Sequence, residues 1–193
     1  SLDSISNQLN SQLNSEAAAI STIASNIATL NQRIVATQGI NQQPANDLLD
    51  QRDKLLSDLA THLAVSTVTQ SNGAVNVFIG NGQALVMNFA AARLSTAGDQ
   101  YAATRTHLVL QSVNGATDVT DAISGGTVGG LLQFRTAMLD PSRNSLGQAA
   151  VTLAHLVNSQ QAAGLDLLGQ LGAVDKDDAG ADLDGVAGHA DEA

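Results

Sequence analysis

Two spacings divide the chain. From Leu9 to Ile34 apolar residues recur at alternating intervals of three and four: Leu9, Leu13, Ile20, Ile23, Ile27, Leu30 and Ile34, with Glu16 alone breaking the series. That period puts them on one face of a helix over residues 2–37, and its persistence predicts coiled-coil-like packing. The outer face carries Ser, Asn, Gln and Thr rather than Glu and Lys. Few ion pairs can support such a helix, so it needs a partner to be stable. Gly39 is expected to cap it and Pro44 to open a second helix. There Leu48, Leu49, Leu55, Leu56, Leu59 and Leu63 make a broad apolar stripe. Residues 1–63 thus read as an αα-hairpin.

After His62 the period shortens to about two. "AVSTVTQ", "AVNVFIG", "QALVMNF", "ARLSTA" and "RTHLVLQSV" are short, β-branched and separated by the turn signals "SNG", "GNG", Gly98–Asp99 and Asn114–Gly115. Residues 64–123 therefore read as an antiparallel β-region. "SGGTVGG" then leads into a third helix, about 127–139, with Val128, Leu131, Leu132, Arg135 and Met138 on its face; Asp140–Pro141 is expected to end it. A fourth helix, about 142–163, has Leu146, Ala150, Leu153 and Val157 at heptad spacing. The fold class is α+β: a bundle of long helices, completed by residues 124–171, from which the inserted β-region projects. On the structural seam, Leu55, Leu59, Leu146, Leu153 and Val157 are expected to face the apolar series of the first helix.

Composition narrows what this scaffold can do. The 193 residues are 44% apolar but only 2% aromatic, so the core is aliphatic and pockets that stack a ring-shaped ligand are not expected. The net charge is −10 although only 13% of residues are charged. A chain with eight basic residues lacks the electrostatic footprint for nucleic acid. No apolar run is long enough to span a membrane. There is no cysteine, hence no disulfide framework and no thiol nucleophile. "SLDSISNQLN" has neither an initiator Met nor a signal-peptide pattern and reads as a piece of a longer chain or a mature form. Residues 172–193, with seven acidic residues and one Lys, are expected to be a disordered acidic tail.

Four patterns invite a chemical reading, and each has a plainer one. Asp47, Asp50 and Asp53 stand three apart and could pair or hold a divalent ion. They also suit the first turns and wet face of a helix. Asp175, Asp177 and Gly180 fit the start of a calcium loop, but Val186 occupies the position of its bidentate Glu. "GGTVGGLL" precedes a helix without the Lys–Ser/Thr of a phosphate loop. His62, His107, His155 and His189 are scattered and fall in no metal or catalytic spacing. No catalytic, cofactor-binding or metal residue is assigned, and neither enzyme activity nor a cofactor is expected.

The succession "TIASNIATLNQRI", "QQPANDLLDQRDKLLSDLA", "VNVFIGNGQALV" and "GGTVGGLLQFRTAMLDPSRNSLGQAAVTLAHLVNSQQAAGLDL" closely resembles the flagellar hook-associated protein 1 (FlgK) family of hook–filament junction proteins, over about residues 1–171. The resemblance implies a structural component of the bacterial flagellum, exported through the flagellar type III apparatus without a cleaved signal. It implies a ring of subunits between hook and filament, touching the hook protein and the second junction protein. It further implies an export chaperone for the C-terminal part of such chains, and no small-molecule substrate. After "GLDLLGQLGA" the chain departs from the family with "VDKDDAGADLDG". Another flagellar axial protein, the second junction protein or a flagellin-like one, is the nearest alternative, although flagellins are not expected to carry "LLQFRTAMLDP". A surface adhesin or antigen binding through its β-region is the alternative of another class, and an exposed apolar patch there would favour it.

Overall fold

The computed structural model describes residues 1–41, 46–99, 105–113 and 115–163. Pro44, Asn114, the turn after Asp99 and the acidic tail lie outside these. Residues 1–143 form one compact unit, and a second begins at Asn144. Helix α1 (Leu2–Asn41) and helix α2 (Asn46–His62) pack against one another. Helix α1 runs through Gly39 to Asn41, so Gly39 is not its cap. A single Gly costs a helix about 1 kcal/mol, which does not stop it.

The fold is α+β in the expected order, and its β-region holds two sheets. Strands β1 (Val65–Thr69), β2 (Val75–Ile79), β3 (Gln83–Met87) and β4 (Ala90–Ala91) follow one another as an antiparallel four-stranded sheet A. A bulge at Val77/Phe78 shifts the β2–β3 register. Strands β5 (Arg93–Gly98), β6 (Thr106–Ser112) and β7 (Gly115–Asp118) form an antiparallel sheet B.

The β-region does not project from a separate bundle. Leu13, Ile20 and Ile27 of α1, Leu59 of α2, Val77 and Leu85 of sheet A, and Leu94 and Leu108 of sheet B belong to one buried cluster. Each small sheet has an apolar face that it cannot cover alone. Helix α1 can cover them because its buried stripe is wider than a coiled-coil seam: Ala17, Ala24 and Asn31 run beside the apolar series and are buried too.

Helix α3 (Gly126–Phe134), a π-turn (Arg135–Leu139) and helix α4 (Asp140–Ala163) follow without a break, so Asp140–Pro141 does not end the helix. The Asp140 N–H donates to the Arg135 carbonyl five residues back. Pro141 lacks an N–H and its ring crowds the carbonyl four residues before it; the wider turn just ahead of it absorbs that strain.

Candidate functional site

The two sheets are fixed to the helices by polar side chains on α1. Asn31 is fully buried. Its Nδ2 donates to the carbonyls of Val75 at 2.8 Å and Asn88 at 2.7 Å. Its Oδ1 accepts from the Val75 N–H at 3.0 Å and from Arg52 Nη1 at 3.3 Å. One side chain thus stands in for a strand at the start of β2 and closes the β3–β4 turn. Asn88 in that turn has φ 53°, a left-handed conformation that Asn tolerates, and its N–H donates to Asn76 Oδ1 at 2.7 Å. Arg52, buried on α2, also donates to the Gly73 carbonyl at 2.7 Å. Burial holds its guanidinium below the usual arginine value, with Asp53 acting the other way.

Ser21 does the same for sheet B. Its hydroxyl lies 2.8 Å from the carbonyls of both Ala17 and Leu94 and accepts the Leu94 N–H at 2.9 Å. The outer edge of β5 is thereby covered by a helix, one of the ways proteins protect an open sheet edge. Two turns earlier on α1, Asn14 Oδ1 accepts from Thr96 Oγ1 at 2.9 Å.

Three more contacts close the unit. Glu16, the break in the apolar series, sits 2.5 Å from His62 Nδ1 at the end of α2. Arg143 pairs with Asp3 and donates to Ser6 Oγ at 3.1 Å. Buried Arg135 donates to the Thr106 carbonyl at 2.6 Å, joining the π-turn to β6. Its charge is likewise disfavoured by burial and by Arg105, and supported by Asp140, Asp121 and Asp118.

The expected seam residues divide. Leu9, Leu13, Ile20, Ile23, Ile27, Leu30, Ile34 and Leu59 are buried, and Leu55 packs partly buried against the core. Leu146, Leu153 and Val157 are 63%, 63% and 46% exposed, in a stretch of α4 whose described residues 144–161 are exposed on every side. Asp47, Asp50 and Asp53 are exposed, whereas Arg52 in their midst is buried. Asn31 and Arg52, like Ser21, are residues that reading the chain missed. The signal was the column Ala17–Ala24–Asn31, whose small members mark where a sheet comes close to α1.

This arrangement ties two helices and two sheets into one block. Among the described residues no group of three or more His, Asp or Glu side chains could hold a metal ion, and no helix is long and apolar enough to cross a membrane. An open groove of about 540 Å³ runs between β3–β4 and β5–β6, with Met87 and Val113 on its walls.

Residues 1–174 match the family described as the flagellar hook-associated protein FlgK helical domain. Flagellar hook-associated protein 1 of Salmonella typhimurium is 35% identical over 168 residues, which are 86% of this chain and 30% of the relative. Its Escherichia coli counterpart is 33% identical over 168 residues, 86% of this chain and 31% of the relative. The solved structure of the flagellar hook junction protein FlgK from Burkholderia pseudomallei has a TM-score of 0.76 at 34% identity, covering 88% of this chain and 31% of that one. The chain thus spans under a third of the length of these relatives.

Proposed function

Because the chain belongs to the FlgK family of flagellar hook-associated proteins, through the family's helical domain, we propose that it is a structural part of the junction between flagellar hook and filament. The observation that carries this reading is the match of nearly the whole described chain, in sequence and in fold, to a hook junction protein. The block of helices and sheets supports it physically: polar grips at Asn31, Ser21 and Arg52 hold its parts in one register, as a subunit under mechanical load requires. In this proposal the buried seam from Leu9 to Ile34 with Leu55 and Leu59 keeps the block rigid. The segments 1–63 and 64–123 act as one piece with the returning chain as far as Arg143. The intact protein joins a ring of subunits between hook protein and second junction protein, reached by type III export with a chaperone for its C-terminal part. Its work is mechanical rather than enzymatic.

Deleting the parent gene in its source cell and imaging the surface by electron microscopy tests this. Hooks without filaments, with flagellin lost to the medium, are expected. Normal filaments would overturn the junction role. One observation favours the adhesin reading instead: Met87 and Val113 are 49% and 97% exposed on the walls of one groove of the β-region. Normal filaments with weakened surface attachment would select it.

A further inference from the structure

The register of sheet B places three titratable side chains on one face. His107 pairs with Ala97 across β5, and Asp99 follows Ala97 by two residues. Asp118 on β7 pairs with Val109, two residues beyond His107 on β6. Side chains two apart on a strand share a face, so both carboxylates lie diagonally across from the imidazole. Nε2 of His107 is 3.1 Å from Asp99 Oδ2, and Nδ1 is 3.3 Å from Asp118 Oδ2.

A neutral imidazole has one N–H and one lone pair; only the imidazolium donates from both nitrogens. Asp118 is held as a carboxylate. Burial opposes its charge, but the Thr120 hydroxyl at 2.6 Å and N–H at 2.8 Å, with His107 and Arg135 nearby, keep it below the usual carboxylate range. The other charged groups around the site are Arg105, which pairs with Asp140 at 3.7 Å, and Arg135, whose charge responds to Arg105, Asp118, Asp121 and Asp140. On α1, Asp3 pairs with Arg143 and Glu16 with His62. Asp118, Asp121 and Asp140 thus lie about the guanidiniums of Arg105 and Arg135, Asp99 lies on the ring, and a positive ring brings three cations to four carboxylates.

We propose that His107 is a proton-dependent clasp: as imidazolium it ties the ends of β5 and β7 to the central strand β6, and on losing its proton it releases one of them. The site lies next to Thr106, whose carbonyl receives Arg135, so the same end of the sheet anchors the π-turn. The sign follows directly. The tie is complete while both ring nitrogens carry protons and is lost, as pH rises, with the proton that leaves. The His62–Glu16 contact uses a single ring nitrogen, so a neutral ring satisfies it and it serves as the internal control.

The test combines ring-nitrogen NMR with amide hydrogen exchange on the 193-residue chain between about pH 5.5 and 8, a range that brackets imidazole titration. Expected are two protonated nitrogens on His107 at the acid end. Protection of the β6 and β7 amides, corrected for intrinsic rate, should fall about threefold across the range, as for one partly exposed ion pair. His107→Gln should flatten that fall and His62→Gln should leave it intact. Should His107→Gln not fold, Asp99→Asn removes one carboxylate charge and puts there an amide that can meet either state of the ring, so it is expected to flatten the fall too. A ring with one protonated nitrogen throughout, or a fall that survives in His107→Gln or Asp99→Asn, or one that vanishes in His62→Gln, overturns the clasp.

Discussion

Helices α1 and α4 carry the same apolar rhythm and meet opposite fates. In α1 the series from Leu9 to Ile34 is buried; in α4, Leu146, Leu153 and Val157 are exposed. The difference lies beside the heptad rather than in it. Alongside its apolar series α1 has the column Ala17, Ala24 and Asn31, and two small sheets with uncovered apolar faces lie against it. Along α4 the described residues 144–161 are exposed on all sides. Periodicity therefore names the face that can be buried, and only a neighbour with its own unsatisfied surface decides whether it is.

The comparison breaks most sharply with one charge placed on each helix. Ile27→Asp puts an unpaired carboxylate at a fully buried position and should cost on the order of 5 kcal/mol, comparable to the whole stability of a domain. Leu153→Asp on the exposed stripe should stay within about 0.5 kcal/mol. Urea unfolding followed by circular dichroism measures both. Equal midpoints for the two variants would mean that the α1 seam is not packed as described.

A smaller effect is expected where the sheets are gripped. Asn31→Ala orphans the Val75 N–H and two carbonyls in the interior, a loss of about 3 kcal/mol at 1–3 kcal/mol per buried group and allowing for partial relaxation. Exchange at β2 and the β3–β4 turn should rise before exchange in sheet B. A variant with unchanged midpoint and unchanged β2 protection would show that Asn31 does not hold that sheet.

Those two residues also mark how far the chain can be read without its fold. The α+β order, the hairpin α1–α2 and the run of short strands follow from local period and turn residues, which act over a few positions. What escaped depends on distant partners. Asn31 and Arg52 are 21 residues apart and look like wet-face residues until Val75 and Gly73 arrive between them. Pro141 reads as a helix end because its local cost is large; the π-turn just ahead of it begins at Arg135, whose side chain reaches the distant Thr106 carbonyl. The β-region reads as a projection because nothing in a strand's own sequence tells which element covers its apolar face.

Gly126 gives an effect of similar kind but at a backbone contact. It has φ +57°, and a Cβ there would lie 2.4 Å from the His62 carbonyl carbon, closer than any side-chain adjustment can relieve. Gly126→Ala should cost about 2 kcal/mol, the sum of left-handed strain and a forced shift between α2 and α3. The thermal midpoint reads it. Gly147→Ala on α4, where nothing lies within 4 Å, should instead stabilise by up to about 1 kcal/mol through helix propensity, so the two Gly→Ala changes should differ in sign.

The smallest expected effect separates sheet B from α4 by pH. Asp118 has its carboxyl held below the usual range in the folded state: burial opposes its charge, but the Thr120 hydrogen bonds, His107 and Arg135 outweigh that. A depressed carboxyl adds stability that is present above the unfolded value, about 3.9, and is lost as pH falls through the folded one. The side chain is 55% exposed, so screening keeps its share to a few tenths of a kcal/mol, ~0.5 at most. Asp118→Asn should remove an acid limb from the exchange of β6 and β7 below about pH 4, in the carboxylate range. The exposed turns of α4, where His155 has no carboxylate contact among the described ion pairs, should exchange alike in both proteins. An acid limb that persists in Asp118→Asn would shift the cause to Asp99, Asp121 or Asp140, the other carboxylates named around His107 and Arg135.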